Sequence, residues 1–368
     1  MISDRWPAVS GFCRSLITDH CVLSIVVGPL VAGVVIAALA VVAAAAAPSD
    51  VDQYLLQVAK FSAAETASLE TGTVIARVMP GGSDSEIVTV AAVKIRATRQ
   101  QTLSYYGQMI AYVDGKVTRA FGRFSSPPVL ADVKDLTLDP DDIAQIKSCK
   151  PRDCDIRIGG TGLTAIRSSI DWNAPDAAAQ VTARARQSIV DYVGAYAKNG
   201  DAALVTYNDR AEPVSAMQQW RAIMASSPYL QQYSPALKEY LEQYPRKTLA
   251  GAKDVLYWVQ EDYTGLAPVT SVVHGVIYQD PARPDRTLVA QKQLYASHYY
   301  DGSFAVATVV DAPDGTYLIY ANRSRGDLLK GGFGGLKRKV ARDQAKKSAE
   351  QTLGTIKSVL EQSPPAAK

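Results

Sequence analysis

The stretch from Thr287 to Arg325, TLVAQKQLYASHYYDGSFAVATVVDAPDGTYLIYANRSR, leaves a folded chain little choice. Its runs are rich in Val, Ile, Tyr, Phe and Thr, whose branched or aromatic side chains suit a pleated, half-buried surface. Asp301-Gly302 and Asp314-Gly315 supply turn signals between them. Three consecutive antiparallel strands are therefore expected. Strand character extends upstream through Asp254–Asp262 (DVLYWVQED) and Val269–Gln279 (VTSVVHGVIYQ).

Other elements follow from local chemistry. Thr73–Met79 and Glu86–Ala97 read as a paired set of strands around Pro80-Gly81-Gly82-Ser83. Thr98–Met109 reads as a helix capped by Thr98, and Val117–Phe124 as a further strand. From Val129 to Ala250 the character is mostly helical. Asp139 caps a helix with Pro140 at its first position, and Asp141 and Asp142 stand where negative charge meets the helix dipole favourably. Asn173–Lys198 is the longest helix of this region. Pro213–Ala225, Pro228–Tyr233 and Pro235–Tyr244 follow. A terminal helix runs from about Leu336 to Glu361, with an inward face of Leu336, Val340, Ala345, Ser348, Ala349, Thr352, Leu353, Ile356 and Leu360.

The remaining bounds come from charge and cysteine. Among 368 residues, 39 Lys and Arg against 36 Asp and Glu give a net charge of +3, which makes no case for nucleic acid as a partner. From Cys21 through Pro48 no residue is charged, and Val22–Ala47 would span about 39 Å as a helix, enough to cross a bilayer. An exported protein is expected. Residues 1–47 then form either a cleaved signal peptide, with small residues at Ala43–Ala47, or a retained membrane anchor. That places the rest in the periplasm or outside, or holds it at the membrane through residues 22–47. Cys149 and Cys154 flank Lys-Pro-Arg-Asp, which turns back readily, and in an oxidising compartment they are expected to be bridged. So small a loop contributes only about 2 kcal/mol.

The order of elements, in which EIVTVAAVKIRATRQQTLSYYGQMI gives a strand and a short helix, Lys253–Gly326 several antiparallel strands and Leu336–Glu361 one long helix, resembles the START-like, or helix-grip, superfamily. The resemblance implies an α+β fold, a curved antiparallel sheet packed on a long C-terminal helix, here with a largely helical insertion after the second family strand. Residues 49–128 would supply the N-terminal helices and first strands, 129–250 the insertion, 251–361 the remaining strands and the helix, and 362–368 a flexible tail. It implies an apolar cavity for lipids, sterols, polyketides or similar molecules.

Residues with chemistry to offer are few. His274 and His298 fall on neighbouring strands, aligned with Val272 and Val276 and with Leu294 and Ala296, so that both point inward. With Asp262 or Asp301 they would suit iron or zinc, although a strand histidine satisfied by a neighbour is commoner. Tyr295, Tyr299, Tyr300, Tyr317 and Tyr320 line the meander as ordinary packing, or in their inward half as ligand contacts. Arg323 and Arg325 share one face, where they either grip a carboxylate or phosphate or pair with Asp327 or Asp301. The Gly331–Gly335 run lacks the ending of a phosphate loop and reads as a hinge or close-packing turn. Lys337, Arg338, Lys339 and Arg342 crowd the start of the last helix, as an anionic membrane surface would favour or as a solvated face.

No nucleophile motif, metal-ligand spacing or cofactor fingerprint occurs, so no catalytic residue and no cofactor is assigned. The expected function is an exported binding or carrier protein for a hydrophobic or amphiphilic small molecule, contacted by His274, His298, Tyr300, Arg323 and Arg325, with an anionic head near the arginines. An envelope enzyme, hydrolase, cyclase or metal-dependent, working through His274 and His298, and a non-catalytic scaffold are the alternatives.

Overall fold

A computed structural model describes residues 50–110, 117–263, 265–326 and 334–362. The apolar run at 22–47 lies outside these residues, as does most of the glycine cluster. No helix among those described is long and apolar enough to cross a membrane.

The described residues begin with α1 (Asp50–Gln53), continued by a π-helical turn over Tyr54–Val58, and α2 (Ala63–Glu70). Ser62 and Glu65 start α2 with a reciprocal capping box, each side chain accepting from the other's backbone N–H. Strands β1 (Ile75–Met79) and β2 (Glu86–Ile95) pair antiparallel. Thr98 caps α3 (Arg99–Ile110), its Oγ1 accepting from the N–H of Gln101 at 3.2 Å. Strand β3 (Thr118–Arg123) precedes the insertion.

The insertion holds α4 (Pro140–Ser148), α5 (Gly160–Ser168), α6 (Ala177–Asn199), a two-residue ladder of β4 (Thr206–Tyr207) with β5 (Val214–Ser215), then α7 (Ala216–Ala225), α8 (Pro228–Tyr233) and α9 (Pro235–Gln243). Five long strands follow: β6 (Ala252–Glu261), β7 (Val269–Tyr278), β8 (Arg286–Ala296), β9 (Tyr300–Ala312) and β10 (Gly315–Gly326). Helix α10 (Gly334–Gln362) ends the described chain. The fold is α+β, with one antiparallel sheet in the order β1-β2-β10-β9-β8-β7-β6-β3.

One expected turn moves. The β9–β10 turn falls at Asp314-Gly315, where Gly315 has φ +152° and a side chain would meet the Ile95 carbonyl at 2.1 Å. The β8–β9 turn instead occupies Ser297–Tyr299, with Tyr299 at φ 60°, and Asp301 and Gly302 lie inside β9. The reason is tertiary. Arg157 of the insertion takes the Asp301 carboxylate at 2.7 Å, and a Cβ on Gly302 would sit 3.4 Å from that of Gln219 on α7. The glycine makes room for a helix instead of turning the chain.

Alternation along the strands gives the sheet two faces. On one, Ala91, Val93 and Ile95 of β2 and Leu318 of β10 pack against Ala349, Leu353 and Ile356 of α10, with Tyr106 of α3 alongside. We call this the helix face. On the other, Ala92, Val310 and Ile319 bury Tyr54, Leu55 and Leu69 from the first helices. Further along, Val272, Val276, Leu288 and Phe304 bury Trp220, Ile223 and Tyr196 from the insertion. Within the expected stripe of α10, Val340 is 60% exposed. It lies nine residues from Ala349, about two and a half turns, and so points the opposite way.

Buried charge fastens the insertion to the sheet. Arg157 is enclosed between Asp209 and Asp301, and Lys292 of β8 pairs with Asp201 while lying 4.1 Å from the ring centroid of Trp220. Burial pulls the Lys292 ammonium down to about 8, against the opposing pull of Asp201. Cys149 and Cys154 are bridged at the end of α4, with their Cα atoms 5.2 Å apart.

Candidate functional site

The five residues singled out as ligand contacts do not converge. His274 lies on the insertion face, where its Nε2 meets Asp254 at 2.8 Å and its Nδ1 the hydroxyl of Tyr196 at 2.9 Å. Burial keeps the ring neutral by pulling its pKa down, although Asp254 opposes this. His298 is held in the β8–β9 turn by Asp142 at 2.9 Å and the Asp155 carbonyl at 3.0 Å. Asp142 thus serves a buried contact as well as the first turn of its helix. Arg323 and Arg325 do share a face, but it is the insertion side, by register with Phe304 and Gly302. There Arg323 pairs with buried Glu86 at 2.8 Å, and Arg325 reaches Ser83 at 3.4 Å.

The carboxylates considered as metal ligands are engaged elsewhere, Asp262 with Arg119 at 2.6 Å and Asp301 with Arg157. Among the described residues no group of three or more His, Cys, Asp or Glu is gathered as a metal would require.

Tyr300 alone belongs to the helix face, and there the chemistry changes. Beside α10 the face is aliphatic, but toward β6 it presents Tyr320, Asn322, Ser324, Ser303, Gln291 and Gln293, all of which keep part of their surface accessible. The floor between them is made of small residues, Ala305 and Gly275, cross-strand neighbours of Gln291. Tyr106 reaches down from α3, its hydroxyl donating to Gln291 Oε1 at 3.3 Å, and Gln291 Nε2 donates to the Tyr257 hydroxyl at 2.8 Å.

At the β6 end stands Glu261. Its Oε2 accepts from the Tyr263 hydroxyl at 3.1 Å, which in turn accepts from Tyr300 at 3.4 Å. The rings of Tyr263 and Tyr300 lie 6.5 Å apart. Burial raises the Glu261 carboxyl above its ordinary value, the hydrogen bond from Tyr263 only partly opposing it. The hydroxyls of Tyr257, Tyr263, Tyr300 and Tyr320 are also pushed up, burial being the main cause for each and the nearby Glu261 charge adding to it. A carboxyl in a low-polarity ring of tyrosines can switch protonation in response to what lies against it.

Sequence reasoning passed over Glu261 because DVLYWVQED reads as a strand with an acidic end. The available signal was alternation: Tyr257, Val259 and Glu261 share one face, as do Tyr320, Asn322 and Ser324. No family model, curated protein or solved structure matches the chain.

Proposed function

We propose that the protein is an exported binding or carrier protein for an amphiphilic small molecule, held on the helix face between α3, α10 and the sheet. The observation that carries this reading is the partly accessible polar and tyrosine-rich floor around Gln291, Tyr320 and Glu261, beside an aliphatic wall. A mostly apolar enclosure with a few placed polar groups is the usual form of a small-molecule site. The order of elements supports a START-like assignment: first and last long strands adjacent, a helix after the first, and a long terminal helix on the same face. Export rests on the uncharged run at 22–47.

The test is native mass spectrometry of the full chain purified from an envelope fraction, compared with Ala305→Leu, which fills the floor, and Arg323→Ala on the opposite face. A co-purifying small molecule should be present in wild type and in Arg323→Ala and be lost from Ala305→Leu. Arg323→Ala should melt earlier, since it strands a buried carboxylate at a cost of about 3–5 kcal/mol. Retention of the molecule in Ala305→Leu, or an empty wild type, would count against the site.

A further inference from the structure

The donors and acceptors of this site are unevenly spent. Tyr300 donates to Tyr263 and Tyr263 to Glu261; Gln291 donates to Tyr257, Gln293 to Ser271 and Asn322 to Ser303. Those donor hydrogens are used within the protein, whereas the Glu261 carboxyl receives one hydrogen bond and has no cationic partner among the described residues. Among the described residues, the arginines of the neighbouring strands are engaged elsewhere. Arg119 is held by Asp262 and Asp139, Arg123 lies over the ring of Phe121, and Arg323 is on the other face. A carboxyl so placed is an incomplete ion pair.

Resting on the reading that the helix face binds an amphiphile, we propose that the polar end of the ligand is a positively charged ammonium group. Glu261 acts as its counter-ion, and the rings of Tyr263, Tyr300 and Tyr320 form its walls. Tyrosine faces attract cations through the ring quadrupole, most strongly where water is excluded. A carboxylate without a partner is costly in such surroundings, and an incoming cation relieves that cost. An anionic head would meet the same carboxyl and be repelled. This reverses the charge that Arg323 and Arg325 suggested when the sequence was read alone.

A proton accompanies the step. Where Glu261 is protonated in the free protein, the ammonium group binds as the carboxyl O–H loses its proton to solvent, leaving a carboxylate–ammonium pair. Affinity for the cation therefore rises with pH until Glu261 is ionised in the free protein, and then levels. The groups facing Glu261 are the hydroxyls of Tyr257, Tyr263, Tyr300 and Tyr320, which burial keeps protonated, so none of them competes over that range.

The experiment is calorimetric titration of the full chain with dodecyltrimethylammonium, dodecanol and dodecanoate, each below its aggregation concentration, in wild type and Glu261→Gln. The cation should bind about 10- to 100-fold more tightly than the alcohol, and the carboxylate least tightly. Glu261→Gln should erase the advantage of the cation over dodecanol and its pH dependence, and a circular dichroism spectrum like that of wild type shows that the variant is folded. Equal binding of all three, a preference for dodecanoate, or a cation preference that survives in Glu261→Gln overturns the charge assignment and leaves amphiphile binding standing. Failure of all three probes to bind overturns both.

Discussion

On the proposed reading, Glu261 links ligand charge to the stability of the empty protein. Its folded pKa is raised above the ordinary 4.5 by burial, so the native chain holds a proton that the unfolded chain releases. The stabilising contribution is complete below the unfolded value and is lost as pH rises through the folded one. Glu261→Gln carries no such charge. Thermal melts of variant and wild type should therefore coincide at pH 4 and separate as pH rises toward 8, with the variant the more stable. A difference that is independent of pH would mean that Glu261 is not desolvated. His274 has the opposite sense, since burial depresses its pKa; its contribution is present above the unfolded value near 6.5 and is lost as pH falls through the folded one.

At the scale of elements, the insertion and the sheet meet across charge as well as apolar surface. Lys292 is fully buried and answered by Asp201 from the turn after α6. Asp201→Asn leaves that ammonium unpaired and should cost about 3–5 kcal/mol in urea unfolding, whereas Lys292→Met, which keeps the volume, should cost less. A double variant as damaging as the sum of the two would show that the pair is not coupled. Such seams also mark the limit of what the sequence revealed. Strand alternation, the caps at Thr98 and Asp139, and the terminal helix were legible because they depend on neighbours in the chain. The pairing of Asp301 with Arg157, which moved a turn by several residues, joins positions 144 apart and leaves no local trace. The site was half legible for the same reason. Tyr300 stood out as one of a group of aromatics, but which face it shared with Glu261 depended on register across four strands, β9 to β6.

For the molecule as a whole, α10 presents a second surface. Lys339, Lys346 and Lys347 are exposed along it, with Val340 between them, while Arg338 also meets Asp84 at 3.5 Å. On the proposed carrier reading the protein would have to meet the membrane that supplies or receives its cargo, and we propose Lys337, Arg338, Lys339 and Arg342 as the group that would engage anionic headgroups. Vesicles containing phosphatidylglycerol should retain the protein at low salt and release it as salt rises. Lys339→Glu with Arg342→Glu should weaken retention about 10-fold or more, at roughly 1 kcal/mol per basic residue before reversal. Unchanged retention would assign that surface to solvent. The placement of the insertion has a consequence of another kind, in the time the chain needs to assemble. It leaves from β3 and returns at β6, strands that are hydrogen-bonded neighbours from Thr118↔Glu261 to Arg123↔Tyr257. Pairing them closes a loop of more than a hundred residues, about five doublings beyond a tight hairpin and therefore roughly 3 kcal/mol of extra closure entropy. That penalty disappears if the insertion collapses first and brings its own ends together, so β3 should be among the last strands to dock, and the sheet should complete itself from β10 outward.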